Sequence, residues 1–224
     1  MNIENYIDER NLAIWTKLNA IYEIELIYNR TESSWRIKME IESKSAKIIT
    51  PTRKLQIASF THELLHLYLA EFGMSTDKEI LYSIYGEKSF NILTKNGLFG
   101  KIHNFCSHKK MYPYFVEMGF PENSFIQKPA KFSFISYYLT KRQLKQKNEN
   151  GITDYIGFTI SLMNNMGETN KEYNQKKLIK LKRMEPSLYE IIERFDQNWD
   201  NSIEFDLVTP FKKFDSELEN WIKK

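Results

Sequence analysis

From Leu55 to Phe72 the chain runs through eighteen residues with apolar side chains at Ile57, Ala58, Phe60, Leu64, Leu65, Leu67, Leu69 and Phe72. On an α-helix these positions cover nearly every azimuth. Such a helix has almost no solvent face and must be buried, with other elements assembled around it. Yet its middle reads Thr61-His62-Glu63-Leu64-Leu65-His66. Two imidazoles and a carboxylate inside a buried helix cost free energy unless each finds a partner. Any fold for this chain has to bury the helix and supply those partners.

The spacing says which partner suits them. Four residues on a helix advance the azimuth by only ~40°, so His62 and His66 stack on one face a turn apart. Two imidazole nitrogens placed that way can both bind one Zn²⁺ at about 2.0–2.1 Å. Glu63 stands ~100° round from His62, too far to ligate the same ion but near enough to meet a water bound to it. Zinc lowers the pKa of that water to about 7, and a carboxylate can take its proton while it attacks a carbonyl. The competing reading makes the histidines satisfied cleft residues and Glu63 an exposed charge. With only four His in 224 residues, the H-E-x-x-H spacing favours the metal.

The remainder of the chain bounds the setting. Its 224 residues fit one domain, comprising a metal-binding core over 1–125 and a helical C-terminal lobe over 126–224. A hydrophobic share of 42% supports a sizeable core and excludes a disordered chain. A net charge of +3 argues against a dedicated nucleic-acid binder. One cysteine, Cys106, excludes an intramolecular disulfide and suggests a reducing compartment. The N-terminus is polar, and the most apolar stretch, Tyr155 to Met163, falls short of the ~20 residues a membrane span needs. A soluble, cytoplasmic protein with no membrane partner is expected.

Alternation over Glu23–Tyr28, Trp35–Ile41 and Ala46–Thr50 predicts three strands, and their short links suggest an antiparallel meander. Asn11–Tyr22 reads as a helix. Thr76 and Glu79 form a capping box opening another, to Tyr85. A longer helix is expected from about Leu98 to Met111, stopped by Pro113. Helices are also expected over Phe132–Gln146, Thr153–Asn165, Pro186–Trp199 and Pro210–Ile222. The loops are placed at Phe120–Ala130, Asn148–Gly151 and Met166–Asn170.

With strands before it, the His62-Glu63-x-x-His66 motif resembles the zincin metallopeptidases over roughly residues 23–119. The resemblance implies an α+β fold with a small antiparallel sheet packed on the active-site helix. It also implies a zinc cofactor and Glu63 as catalytic base. The metzincin extension is absent, since Leu69 and Phe72 occupy the places of its glycine and third histidine. A third ligand must come from further along, as in gluzincin-like folds. His103 and His108 are the remaining histidines; five residues turn a helix by ~500°, so the two stand ~140° apart and only one can reach a given ion.

The stretch His103-Asn104, His108, Tyr112-Pro113 and Met118-Gly119-Phe120 is similar to one in small bacterial H-E-x-x-H proteins. There an acidic residue often precedes the histidine; here Ser107 holds that place. The resemblance makes His108 the expected third metal ligand, with Asn104 as an orienting neighbour. His103, or an acid such as Glu87 or Glu117, stays open as the alternative.

The expected activity is hydrolysis of peptide bonds by a zinc-dependent metallopeptidase acting on a polypeptide. The alternative is a zincin-like regulatory or partner-binding module in bacterial stress or defence, with a regulatory protein partner and little general proteolysis. Cys106 shares a helix face with His103, but a lone cysteine fits a small buried residue better. Tyr112 is a candidate oxyanion donor, weighed against simple packing. The basic run Lys176–Arg183 reads as a solvated helix end, and no glycine-rich phosphate loop occurs.

Overall fold

The computed structural model describes residues 1–125, 134–164, 171–202 and 205–224. The chain divides into two compact units, Met1–Met74 with Lys110–Gln127, and Ser75–Lys109 with Lys128–Lys224. The fold is α+β, mainly helical, with one small sheet. Among the described residues no helix is long and apolar enough to cross a membrane.

The first unit holds helix α1 (Leu12–Asn19), strands β1 (Glu23–Tyr28), β2 (Arg36–Glu40) and β3 (Ser45–Thr50), and helix α2 (Ile57–Glu71). The strands lie where alternation put them, but their pairing differs from the expected meander. The order is β1-β3-β2, with β1 parallel to β3 (Glu23 opposite Ser45, Tyr28 opposite Thr50) and β2 antiparallel to it (Arg36 opposite Ile49). The sheet is therefore mixed. Ala46, Ile48, Ile49 and Thr50 are all buried, so β3 takes the centre, where both faces can be covered. β1 and β2 alternate exposed and covered residues and are suited to edges.

Helix α2 packs on β2, β3 and α1. Phe60, Leu64, Leu65, Leu67 and Leu69 are at most 1% exposed, each burial being worth about 1.5–3 kcal/mol. A polar lock fixes the helix just before its motif. The buried Asn11 side chain donates to Tyr6 O at 2.9 Å and to Thr61 Oγ1 at 2.8 Å, and its Oδ1 accepts the Asp8 N–H at 2.9 Å. Asn11 precedes α1 but makes no side-chain cap there, because its Oδ1 accepts from the Asp8 N–H instead.

The second unit opens with α3 (Asp77–Tyr82), where the Thr76–Glu79 capping box is present in both directions. Helix α4 (Glu87–Thr94) has no counterpart in the sequence reading. Gly86 at its start offers no capping side chain, so the amides are capped from far along the chain. Asp215 Oδ2 accepts from Tyr85 N at 2.9 Å and Gly86 N at 3.2 Å, and Glu219 Oε2 accepts from Ser89 N at 2.8 Å. A Cβ on Gly86 would lie 2.2 Å from Ser89 Oγ and 2.7 Å from Glu219 Oε2, so glycine leaves these side chains their room.

Helix α5 (Leu98–Glu117) runs straight through Pro113, where a stop was expected. Pro inside a helix costs about 3 kcal/mol through a lost N–H and a clash. Met111 and Phe115, one on each side of it, are fully buried, and the Phe115 ring packs on Phe120 at 4.9 Å and Phe125 at 5.1 Å. Burying those side chains outweighs the proline.

Helices α6 (Phe134–Lys145), α7 (Glu149–Met163), α8 (Lys171–Met184), α9 (Pro186–Asp200) and α10 (Val208–Lys223) complete the unit. The Asn148–Gly151 loop is instead the start of α7: Asn148 is its N-cap, accepting from Asn150 N at 2.9 Å. Gly151 lets α6 come close, since a Cβ there would lie 2.5 Å from Gln143 Cβ. The expected loop at Met166–Asn170, and the loop to Ala130 beyond Phe125, lie outside the described residues.

Candidate metal centre

His62 and His66 project from the same face of α2, their ring centroids 5.0 Å apart and inclined at 70°. Phe125 packs on the His62 ring at 4.7 Å and meets Tyr112 edge-on at 5.3 Å. The Tyr112 ring thus packs against Phe125. Glu63 is buried at 5% exposure, unlike the exposed charge of the competing reading. Burial pushes its carboxyl up to about 8, against the opposing pull of a hydrogen bond from the Ile37 backbone on β2.

His108 comes from α5, which is pinned on either side of it. Trp199 Nε1 donates to Cys106 O at 3.0 Å, and Lys109 Nζ reaches Asp196 Oδ1 at 2.5 Å and Asp200 Oδ2 at 2.6 Å. The His108 ring is 5% exposed, and burial pushes its pKa down to about 4, partly opposed by a hydrogen bond to Asn164. It is a neutral imidazole at physiological pH, the form that ligates metals. Nδ1 lies 3.0 Å from Asn164 Oδ1. With the amide oxygen as acceptor, Nδ1 carries the proton and the lone pair is on Nε2.

His62, His66 and His108 each present a ligand atom, and the three atoms lie within 4.8 Å of one another. Nitrogens arranged tetrahedrally around zinc at ~2.1 Å stand about 3.4 Å apart, inside that span. Among the described residues this is the one group of three or more His, Cys, Asp or Glu close enough to hold a metal. The set fits a borderline divalent cation such as zinc, though three imidazoles also suit copper, nickel or iron.

The alternatives fall elsewhere. His103 turns to Ser75 O at 3.3 Å and lies 3.7 Å from Asp77 Oδ1, as the azimuth between it and His108 requires. Glu87 and Glu117 are exposed and outside the cluster. Asn104, the expected orienting neighbour, is exposed. The amide that faces the His108 ring is instead Asn164, the C-cap of α7, and a contact to a residue 56 positions away leaves no local signal. Cys106 is fully buried. The basic run Lys176–Arg183 lies on α8, where Lys182 pairs with Glu193 at 3.0 Å and Lys176 with Glu172 at 2.6 Å.

No protein-family model, curated protein or solved structure matches this chain.

Proposed function

We propose that this protein is a zinc-dependent metallopeptidase of zincin type, with His62, His66 and His108 as ligands and Glu63 as general base. The observation that carries the reading is a buried carboxylate one residue from a three-histidine cluster. Three protein ligands are the number used by catalytic zinc sites, which keep a further position for water. When bound there, zinc supplies Lewis-acid polarisation of a carbonyl and brings the pKa of a coordinated water to about 7.

The protein's own part is proton transfer and substrate placement. Glu63, buried and with raised proton affinity, takes a proton from the attacking water and returns it to the departing amine. It ionises more readily with a dication nearby, which offsets part of the upward shift. Edge strand β2 bonds the Glu63 carboxylate through Ile37, so a polypeptide added along that edge passes the base.

The decisive variant is Glu63→Gln, assayed on fluorescence-quenched peptides alongside zinc content. Hydrolysis is expected to fall by about 10²–10⁴-fold with zinc retained. Equal turnover by wild type and variant overturns the mechanism. Zinc bound by a wild type that cleaves nothing favours the regulatory, partner-binding alternative.

A further inference from the structure

We infer that Asn164 is a positioning residue that selects the tautomer and orientation in which His108 meets a metal, an assignment that rests on the metal reading above. A buried imidazole can flip about its Cβ–Cγ bond and exchange ring nitrogens for ring carbons, or carry its proton on either nitrogen. Either change removes a ligand atom. The Asn164 amide oxygen, 3.0 Å from Nδ1, favours one arrangement: Nδ1–H donated to the amide, lone pair on the opposite nitrogen.

The backbone that carries the amide is anchored. Asn164 closes α7, its N–H bonded to Ile160 O at 2.8 Å. Helix α7 is buried along Ile152, Tyr155, Ile156 and Ile160, and Tyr155 Oη donates to Leu181 O at 2.8 Å and Glu185 O at 3.1 Å. The acceptor is therefore carried at the end of a buried helix. Helix α5 is fixed separately, through Trp199 and Lys109. His108 thus sits on one anchored helix and bonds an amide carried by another.

The choice of an amide has a chemical consequence. A neutral acceptor orients the ring without donating negative charge, whereas a carboxylate in its place makes the imidazole a stronger base and a tighter ligand. Replacing the amide by Ala should therefore weaken zinc while replacing it by Asp should not, a split that loss of packing alone cannot produce.

The test uses the full chain and zinc alone, with affinity measured by competition against a chromophoric chelator at neutral pH. Circular dichroism and thermal melting of the metal-free proteins check the fold. Asn164→Ala is expected to weaken zinc by about 10–100-fold, and Asn164→Asp to hold it at least as tightly as wild type. If Asn164→Ala binds zinc like wild type, the inference fails while the metal reading stands. If Asn164→Asp is as weak as Asn164→Ala, Asn164 only packs and the inference fails again. A wild type that takes up no zinc overturns both.

Discussion

In α2 the two histidines and the carboxylate lie within little more than one turn of the single helix that carries them, whereas His108 on α5 depends on residues scattered over the second half of the sequence. His62 and His66 face the same way because helical geometry makes them do so wherever the helix sits. His108 instead depends on Trp199, Lys109 with its two aspartates, and Asn164, which hold one helix and one ring in place. The same contrast separates α3, capped by its neighbour Thr76, from α4, capped by Asp215 and Glu219 about 130 residues on. Local devices survive any rearrangement that preserves the helix. Distant ones form only with the tertiary structure and fail with it.

This contrast can be broken most directly at the histidines. His62→Ala or His66→Ala removes half of a rigid chelating pair, and zinc uptake at micromolar concentration is expected to vanish by calorimetry. His108→Ala should weaken zinc by at least ~10-fold, a loss no smaller than changes around a ligand cause. His103→Ala should leave affinity unchanged. Normal binding by His108→Ala would show the α2 pair sufficient alone and end the comparison.

Asp215→Ala tests the distant cap. Two backbone amides and the Ser89 hydroxyl lose a buried acceptor, and a stability loss of about 2–3 kcal/mol is expected from urea denaturation. Thr76→Ala, removing the local and exposed cap, should cost only about 1 kcal/mol. Equal losses would erase the distinction between the two helices.

Asn11→Ala sharpens the picture inside the first unit. It leaves Tyr6 O, Thr61 Oγ1 and the Asp8 N–H without the amide, for an expected loss of about 1–2 kcal/mol. Zinc affinity should change little if α2 carries its histidine pair by its own geometry. A large drop in affinity would mean that the pair depends on this lock as His108 depends on its anchors.

The smallest effect concerns the end of α2. Glu71 accepts from Lys44 Nζ at 2.7 Å and Tyr22 Oη at 2.5 Å, and these bonds, Lys44 first, hold its carboxyl below the usual range. A depressed carboxylate contributes stability above its unfolded pKa and loses it as pH falls through the folded value. Glu71→Gln should therefore lower stability near pH 7 by less than ~1 kcal/mol, because the Lys44 side chain is 43% exposed. The difference should shrink as the pH is lowered into the acid range. A gap that widens on acidification would contradict the assignment.

Much of the secondary structure was legible wherever the signal was local. Alternation located β1 to the residue, the capping box opened α3, and Pro186 began α9 as its position suggested. Reading failed where distant contacts overrode local preference. Pro113 did not end α5 because Met111 and Phe115 are buried around it, and Gly151 did not break α7 because α6 needs the space. α4 went unread because its caps lie on α10.

By itself the sequence determined that a buried helix carries His62, Glu63 and His66 in a metal-binding spacing, since helical periodicity is a property of consecutive residues. Only the tertiary structure decided that β3 is central, that His108 rather than His103 joins the pair, and that Asn164 rather than Asn104 faces its ring. Each of those outcomes depends on which surfaces are covered at once. That is a property of the packed chain, and no single segment encodes it.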